Sequence, residues 1–362
     1  MLSLQDDKLR GLVETVLPRI QPNQEAQSAA HARVSRMIES IRVRLSESGV
    51  EADVVLGGSL AKNTNLAGDF DADVFVRFSD PYPDEQLSDI LEQALDPMQF
   101  MRVHGSRDYF QKEEDGIAYE IVPVRAISSP EEATNVTDCS YLHVLWVQGQ
   151  EIAKKVEGLP LHDHIRLAKA FCKSIRVYGA ESYIGGISGH VLDILVLHYG
   201  GLLQCMREVA SWKECQVVDP EEQYATTEAA YLALDPAKRS CPLVVIDPVD
   251  PTRNAAAALE QATYDRLRES CAHFLSSPSA SWFTAPQLSP ESWHPPEEEV
   301  YAVAMTALEG KKDVVGAKMR KAAEYVVRRL EEAAFVVYAH EFWWDGQGTA
   351  VLLLHIPQGS IP

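Results

Sequence analysis

The chain has 362 residues, 46% of them apolar, and a formal net charge of -20. That apolar share supports two or three packed cores, and the acid surplus argues against a protein that coats nucleic acid over its whole surface. Six scattered cysteines without a Cys-x-x-Cys pair exclude a disulfide framework and a cysteine zinc site, and they read as reduced, mostly buried thiols. The stretch Met1-Leu2-Ser3-Leu4-Gln5-Asp6-Asp7-Lys8 has no apolar signal core, and no run approaches bilayer length. A cytoplasmic chain with no membrane partner is therefore expected.

In chain order, the spacing predicts helices over 5–17 and 24–48, the second with Ala30, Val34, Met37, Ile38, Ile41 and Leu45 on one face, and with Pro18 and Pro22 separating the two. Strands are expected at 51–57 and 72–78, a helix near 84–95, and strands near 106–112 and 117–125. Between the first two strands lies Gly57-Gly58-Ser59-Leu60-Ala61-Lys62, and then Asp69-Phe70-Asp71-Ala72-Asp73-Val74-Phe75-Val76. Residues i and i+2 of a strand share a face, so Asp71 and Asp73 aim two carboxylates at one point while Val74 and Val76 enter a core. Two converging carboxylates repel unless a cation sits between them, and a hard divalent ion with oxygen ligands is the natural occupant. The glycines let backbone approach a phosphate closely, and Ser59 adds a hydroxyl donor. Glu120 interrupts the apolar run Ile117–Val124. Beside Asp71 and Asp73 it would be a third ligand; on an edge strand, which Pro123 would permit, it would face solvent.

The remaining chain reads as helices over 159–275, with Ser188–Leu202 a strongly apolar one, a Pro-rich linker over 286–296, and a small sheet-and-helix module. That module has strands near 300–304, 335–341 and 350–356 and a helix near 313–333. Lys169, Lys173 and Arg176 share one expected helix. Lys311, Lys312, Lys318, Arg320, Lys321, Arg328 and Arg329 gather around the late one, as a basic surface or as a solvated face mixed with Glu324 and Glu331. His162-Asp163-His164 reads as a solvated loop, because i and i+2 at a helix start do not share a face. Trp343-Trp344 reads as the partly buried end of a strand.

Gly58-Ser59-Leu60-Ala61-Lys62-Asn63-Thr64 with Asp71 and Asp73 resembles the active-site segment of the archaeal-type (class I) CCA-adding tRNA nucleotidyltransferases. The resemblance continues through Val136–His143, Lys169–Lys173, Val177-Tyr178-Gly179-Ala180-Glu181, Gly186-Ile187-Ser188-Gly189 and Val244–Ala256, roughly over 1–355. It implies an α/β (α+β) chain: a nucleotidyltransferase (polymerase β-like) head with a mixed sheet over 1–145, a helical central domain over 146–284, and a small C-terminal α/β module over 285–362. It departs from the family at Glu120 (usually Asp), at Cys139 and Gly185 (usually Arg), and at His190 (usually aromatic). The family's further C-terminal tail region is expected to be missing.

The resemblance implies template-independent transfer of nucleotides from CTP and ATP to the tRNA 3′ end by a two-metal mechanism. Asp71 and Asp73 would hold two magnesium ions, one shared with Glu120. Gly58 and Ser59 would take the β- and γ-phosphates, with Lys62 in the same nucleotide-binding set. His143, Lys169 and Tyr178 would contact the triphosphate, and Arg253 would read the incoming base with its planar fork. Two other readings stay open: a synthase of linear or cyclic oligonucleotide signals, and a weakly active RNA-binding subunit. A homo-oligomer is also left open.

Overall fold

Two long helices lead the chain: α1 (Leu4–Ile20) and α2 (Gln24–Glu47). The computed structural model describes residues 4–285, 299–344, 346 and 348–357. Pro18 does not end α1. It falls in the last turn, where one missing N–H is a small loss, and the helix runs on to Ile20. Asn23 starts α2, its side-chain oxygen accepting the Ala26 N–H at 2.7 Å.

The head is a five-stranded mixed sheet: β1 (Ala52–Leu56), a short helix α3 (Gly58–Ala61), β2 (Asp71–Phe78), α4 (Leu87–Leu95), β3 (Met101–Val103), β4 (Tyr109–Glu114) and β5 (Ile117–Arg125). The strand order is β1-β2-β5-β4-β3, with only β2 and β5 parallel. The strand expected over 106–112 is two pieces, 101–103 and 109–114, split by the Gly105 turn. Ala72, Val74, Val76 and Phe78 pack with Ile41, Leu45, Leu91 and Ile121 beneath α2 and α4. Phe75, on the other face of β2, packs with Val124 and Val144.

A helical region follows: α5 (Ser140–Gly149), the small hairpin β6 (Lys155–Val156) and β7 (Leu159–Pro160), α6 (Leu161–Ser174), α7 (Gly189–His198), α8 (Leu202–Ser211), β8 (Gln216–Val218), α9 (Thr227–Ala233), β9 (Leu243–Val245) and α10 (Gln261–Ser276). Its core joins Ile165, Phe171, Ile194, Leu195, Met206, Tyr264 and Phe274 with Leu9, Val13 and Val16 of α1, so α1 packs with these helices rather than with the sheet. The apolar helix expected over 188–202 stops at His198. Gly200 and Gly201 follow with φ of 72° and 126°, where a side chain would be strained, and they redirect the chain into α8. The strands β8 and β9 pair in parallel within a region that reads as helical from its spacing.

His162-Asp163-His164 is not a solvated loop. It forms the first turn of α6, and Asp163 and His164 are buried. Asp163 pairs with Arg166. His164 Nδ1 accepts the Leu202 N–H at 3.1 Å and Nε2 lies 2.9 Å from the Val156 carbonyl, which fixes the neutral Nε2–H tautomer. Arg176 is not on the helix with Lys169 and Lys173; it lies past the end of α6 with φ of 59°.

One turn ties the sheet to the helices. Arg166 donates to the Asn65 carbonyl at 2.9 Å and to Asn63 Oδ1 at 2.6 Å, and Lys169 Nζ donates to the Thr64 carbonyl and Oγ1. Lys62, beside them, makes a buried ion pair with Asp193 of α7.

The described residues form two compact units, one from those up to 179 together with 186–284 and the other from 180–185 together with those from 285 onward. In the second unit, β10 (Glu299–Thr306), α11 (Lys312–Glu332), β11 (Ala339–Trp343) and β12 (Thr349–Ile356) form an antiparallel sheet of order β10-β12-β11. Ala323 and Val327 of α11 pack on Leu352, Leu354 and Ile356. The strand expected from 335 begins at 339. Trp344 is buried edge-on to Tyr183, with ring centres 5.3 Å apart. The basic residues of α11 include pairs along the helix, Arg320 with Glu324 at 3.0 Å and Arg328 with Glu332 at 4.0 Å. The expected linker, 286–296, lies outside the described residues. Among the described residues no helix is long and apolar enough to cross a membrane. Of the six cysteines, four are buried, Cys241 is partly covered and Cys215 is exposed.

Breaking the Lys62–Asp193 pair from one side leaves a buried charge without its partner. Asp193→Asn should lower unfolding free energy by about 3 kcal/mol, whereas Lys62→Met combined with Asp193→Leu should recover most of that loss. Urea melts of both variants and of the wild type give the comparison; equal losses in single and double variants would show that the pair is not the source.

Candidate active site

The β2–β5 register sets the site. Asp73 lies directly opposite Glu120, and Asp71 stands two residues earlier on the same face of β2. β5 is an interior strand, flanked by β2 and β4, so Glu120 is not on an edge. Pro123 is tolerated because it lies beyond the last β4–β5 pair, Phe110 with Ile121. Gln111, opposite Glu120 on β4, donates to its carboxylate at 2.7 Å. Asp73 is pushed up to about 7, by burial first and then by Glu120 and Asp71, against Lys62 and Lys169. Asp71 is pushed up to about 6 by burial, by Asp69 and by Glu120, against Lys173. This set of hard oxygen donors, whose charges repel one another, fits a divalent cation such as magnesium.

The Gly-Gly turn is fitted to these carboxylates. The Gly57 N–H donates to the Asp73 carbonyl at 2.6 Å. A Cβ on Gly58, whose φ is 59°, would overlap the Asp73 carboxylate, and one on Gly57 would overlap the Phe75 ring. Ser59 follows in α3, its carbonyl accepting the Thr64 N–H at 2.9 Å. Lys62 does not stand free beside it, since its ammonium is committed to Asp193.

Cations line the helical side. Lys169 is buried among Thr64, Asp193 and Asp69, and burial pushes it down to about 8. Lys173 reaches Asp69 at 2.5 Å and sits 5.4 Å over the Tyr178 ring. Tyr178 runs beside Ile187 as a parallel bridge, and its hydroxyl lies close to Gly189 at the start of α7, beside Lys169. The acid surplus of the whole chain is thus not reproduced on this wall.

A second cluster surrounds Asp247. Asp138 anchors the start of α5 by pairing with Arg107 and accepting the Arg125 and Asn135 N–H groups, which places His143 on the next turn. His143 Nε2 lies 3.0 Å from the buried Asp247 carboxylate, Arg253 donates to it at 2.7 Å, and the His143 and His190 rings lie tilted against each other with centres 4.1 Å apart. Burial pushes Asp247 up, and the His143 hydrogen bond with the nearby His190 ring outweighs it, so the carboxyl stays well below its usual range. Asn254 fixes the loop, accepting the Val245 and Ala256 N–H groups and donating to the Lys238 and Leu243 carbonyls.

The fold therefore gathers Asp71, Asp73, Glu120 and Gly58 at the sheet, Lys169 with Tyr178 on one helical wall, and His143 with Arg253 on another. Sequence spacing assigns no role to Asp193, Thr64, Gln111 or Asp247. Asp247 and Asp193 carry a signal, as carboxylates inside apolar runs; Thr64 and Gln111 carry none.

Comparison with known proteins agrees in kind. Residues 163–284 match the model of the tRNA nucleotidyltransferase second domain, and residues 37–138 match that of the nucleotidyltransferase domain. The CCA-adding enzyme of Nanoarchaeum equitans is 34% identical over 295 residues, spanning 81% of this chain and 71% of that protein. Those of Thermococcus gammatolerans and Halobacterium salinarum are each 28% identical, over 96% and 97% of this chain and 77% and 75% of theirs. A cytoplasmic RNA terminal U-transferase structure superposes with a TM-score of 0.59 at 15% identity, over 78% of this chain and all of that one. The Escherichia coli MS115-1 CdnC structure in complex with HORMA-deltaN gives 0.56 at 16%, over 76% of this chain and 94% of that one. These two likenesses concern the fold alone.

Asp73 carries a linkage that can be measured. With a folded pKa near 7 against an unfolded value near 3.9, its contribution is most favourable below pH ~4 and is lost as pH rises through 7. In metal-free buffer Asp73→Asn should therefore melt higher than wild type at pH 8, and the gain should vanish near pH 4. Added magnesium should raise the wild-type melting temperature more than that of the variant. Calorimetric scans across pH give the answer, and a pH-independent difference would contradict it.

Proposed function

Because the chain belongs to the archaeal CCA-adding tRNA nucleotidyltransferase family, we propose that Asp71, Asp73 and Glu120 carry its reaction with magnesium, using CTP and ATP as donors. The reaction is nucleotidyl transfer to the 3′ end of tRNA. One observation carries the site assignment: the parallel register that sets Asp73 against Glu120, with Asp71 on the same face.

In this reading the acceptor 3′-oxygen attacks the α-phosphorus, the bond to pyrophosphate breaks, and the hydroxyl proton passes to solvent water. Magnesium, when bound, would supply positive charge that lowers the pKa of the hydroxyl and offsets charge on the leaving group. Asp71 and Asp73 would hold two ions, one of them shared with Glu120. Gly58 leaves the Asp73 carboxylate its room, and Ser59 lies where the turn would meet the triphosphate. Lys169, Tyr178 and His143 would donate to the phosphates. Lys62 acts from behind, its pair with Asp193 holding the turn in place. Arg253 would read the base: Asp247 holds its Nη1, and the side chain is 34% exposed, so the rest of its planar fork would be available to a base edge.

Incubating the chain with magnesium, labelled CTP and ATP, and tRNA lacking its terminal CCA should give products longer by those nucleotides. Product formed without RNA would replace the tRNA by a free nucleotide as acceptor, and absence of product from the folded protein would remove the assignment. Under the same conditions Glu120→Gln should lose most of the rate while Glu120→Asp keeps much of it, because charge rather than length holds the ion. Equal rates for Glu and Gln would make Glu120 structural.

Arg253→Ala should change the ratio of CTP, ATP and UTP incorporation at one defined end by about 1–3 kcal/mol of discrimination, or roughly five- to 150-fold. A uniform loss of rate with an unchanged ratio would move Arg253 to the phosphates.

A further inference from the structure

His190 is unusual in its surroundings. Both of its ring nitrogens are buried and lack a hydrogen-bond partner among the described residues. Leaving such a group unpaired is unfavourable, because its lost hydration is not replaced. The ring lies against His143, and its Nε2 points at Asp247 Oδ2 from 3.7 Å. His143 Nε2 lies 3.0 Å from the same carboxylate. One ligand atom from each of the three residues falls within 4.8 Å of the others.

Those separations suit a small transition ion. Metal–nitrogen and metal–oxygen bonds near 2.0–2.1 Å at tetrahedral angles put neighbouring donors about 3.3 Å apart. The two observed separations, 3.0 and 3.7 Å, bracket that value. The Asp247 carboxylate is already oriented as a ligand. Its Oδ1 accepts the Val249 N–H at 2.9 Å and the Asp250 N–H at 3.3 Å, Oδ2 faces His190 and Arg253, and His143 Nε2 lies 3.0 Å from both oxygens. Such second contacts fix the direction of a ligating carboxylate. Two imidazoles and one carboxylate select zinc-class ions over magnesium. The competitor is Arg253, which donates to Oδ2 at 2.7 Å and lies 3.5 Å from His143 Nε2. Its side chain is one-third exposed and can swing into solvent.

The geometry points to a second metal site, formed by His143, His190 and Asp247 and separate from the three catalytic carboxylates. It takes a zinc-class divalent ion in place of the Arg253 guanidinium. Filling it would release Arg253 from Asp247 and so disturb choice of the incoming base. That last step rests on the assignment of Arg253 above, whereas metal binding itself does not.

Cobalt(II) is the probe, added to the full chain carrying Asp73→Asn so that the catalytic carboxylates contribute little. One equivalent should bind in the presence of excess magnesium and give the intense visible band of a tetrahedral ion, with zinc displacing it. His190→Phe keeps a ring against His143 but removes the ligand. It should weaken cobalt binding at least about a hundredfold and abolish the band. His190→Gln provides a second test should the Phe variant fail to fold. Cobalt bound equally by both backgrounds, or bound without the band, would overturn the site. With Asp73 intact, micromolar zinc added to the magnesium reaction should alter the CTP to ATP ratio in wild type but not in His190→Phe. An unaltered ratio despite the cobalt band would overturn the link to Arg253 alone.

Discussion

Like charges held at one place dominate this molecule. The parallel pairing of β2 with β5 brings Asp73 opposite Glu120, with Asp71 on the same face beside them. The result is visible in Asp73 and Asp71, both pushed well above the ordinary carboxylate range. A sheet register cannot relax one residue at a time, because a slip would turn Val74 and Val76 out of the core. Hydrophobic packing of the head therefore sustains an electrostatic strain that bound cations or protons relieve.

The rest of the first unit answers that strain from outside. Lys62 and Lys169 both lower the Asp73 pKa, and each is held by a buried partner on another element. Lys173 does the same for Asp71 while pairing with Asp69. These lysines are supplied or gripped by α6 and α7, so the helical region completes the electrostatics of a sheet it does not belong to. The turn from Lys62 to Asn65 is where the two meet, and Arg166 closes it.

Much of this is legible from residue order. Alternation along 71–76 places the carboxylates and the core on opposite faces, because a strand offers only two. The spacing of Ala30, Val34, Met37, Ile41 and Leu45 marks α2. What escapes are features decided at long range. His162-Asp163-His164 looks polar enough for solvent, yet the partners that let it be buried, Val156, Leu202 and Arg166, come from the hairpin, from α8 and from the next turn. Lys62 closes the Gly-Gly-Ser segment in the sequence, and its pairing partner lies 131 residues away. The apolar run ending in α8 looks like one helix because hydropathy ignores the left-handed backbone at Gly200 and Gly201.

The cysteines of the first unit have a practical side. Burial pushes the Cys205 thiol up to about 12, and those of Cys172 and Cys271 well above their ordinary range. Cys215 is the exposed one among the six. It stands immediately before β8, whose partner β9 runs straight into the loop of Asp247 and Arg253. A thiol-reactive dye added under mild conditions to the unmutated chain would mark this one position. Its fluorescence would report on the loop of Asp247 and Arg253 when nucleotide is added, without any engineering of the sequence.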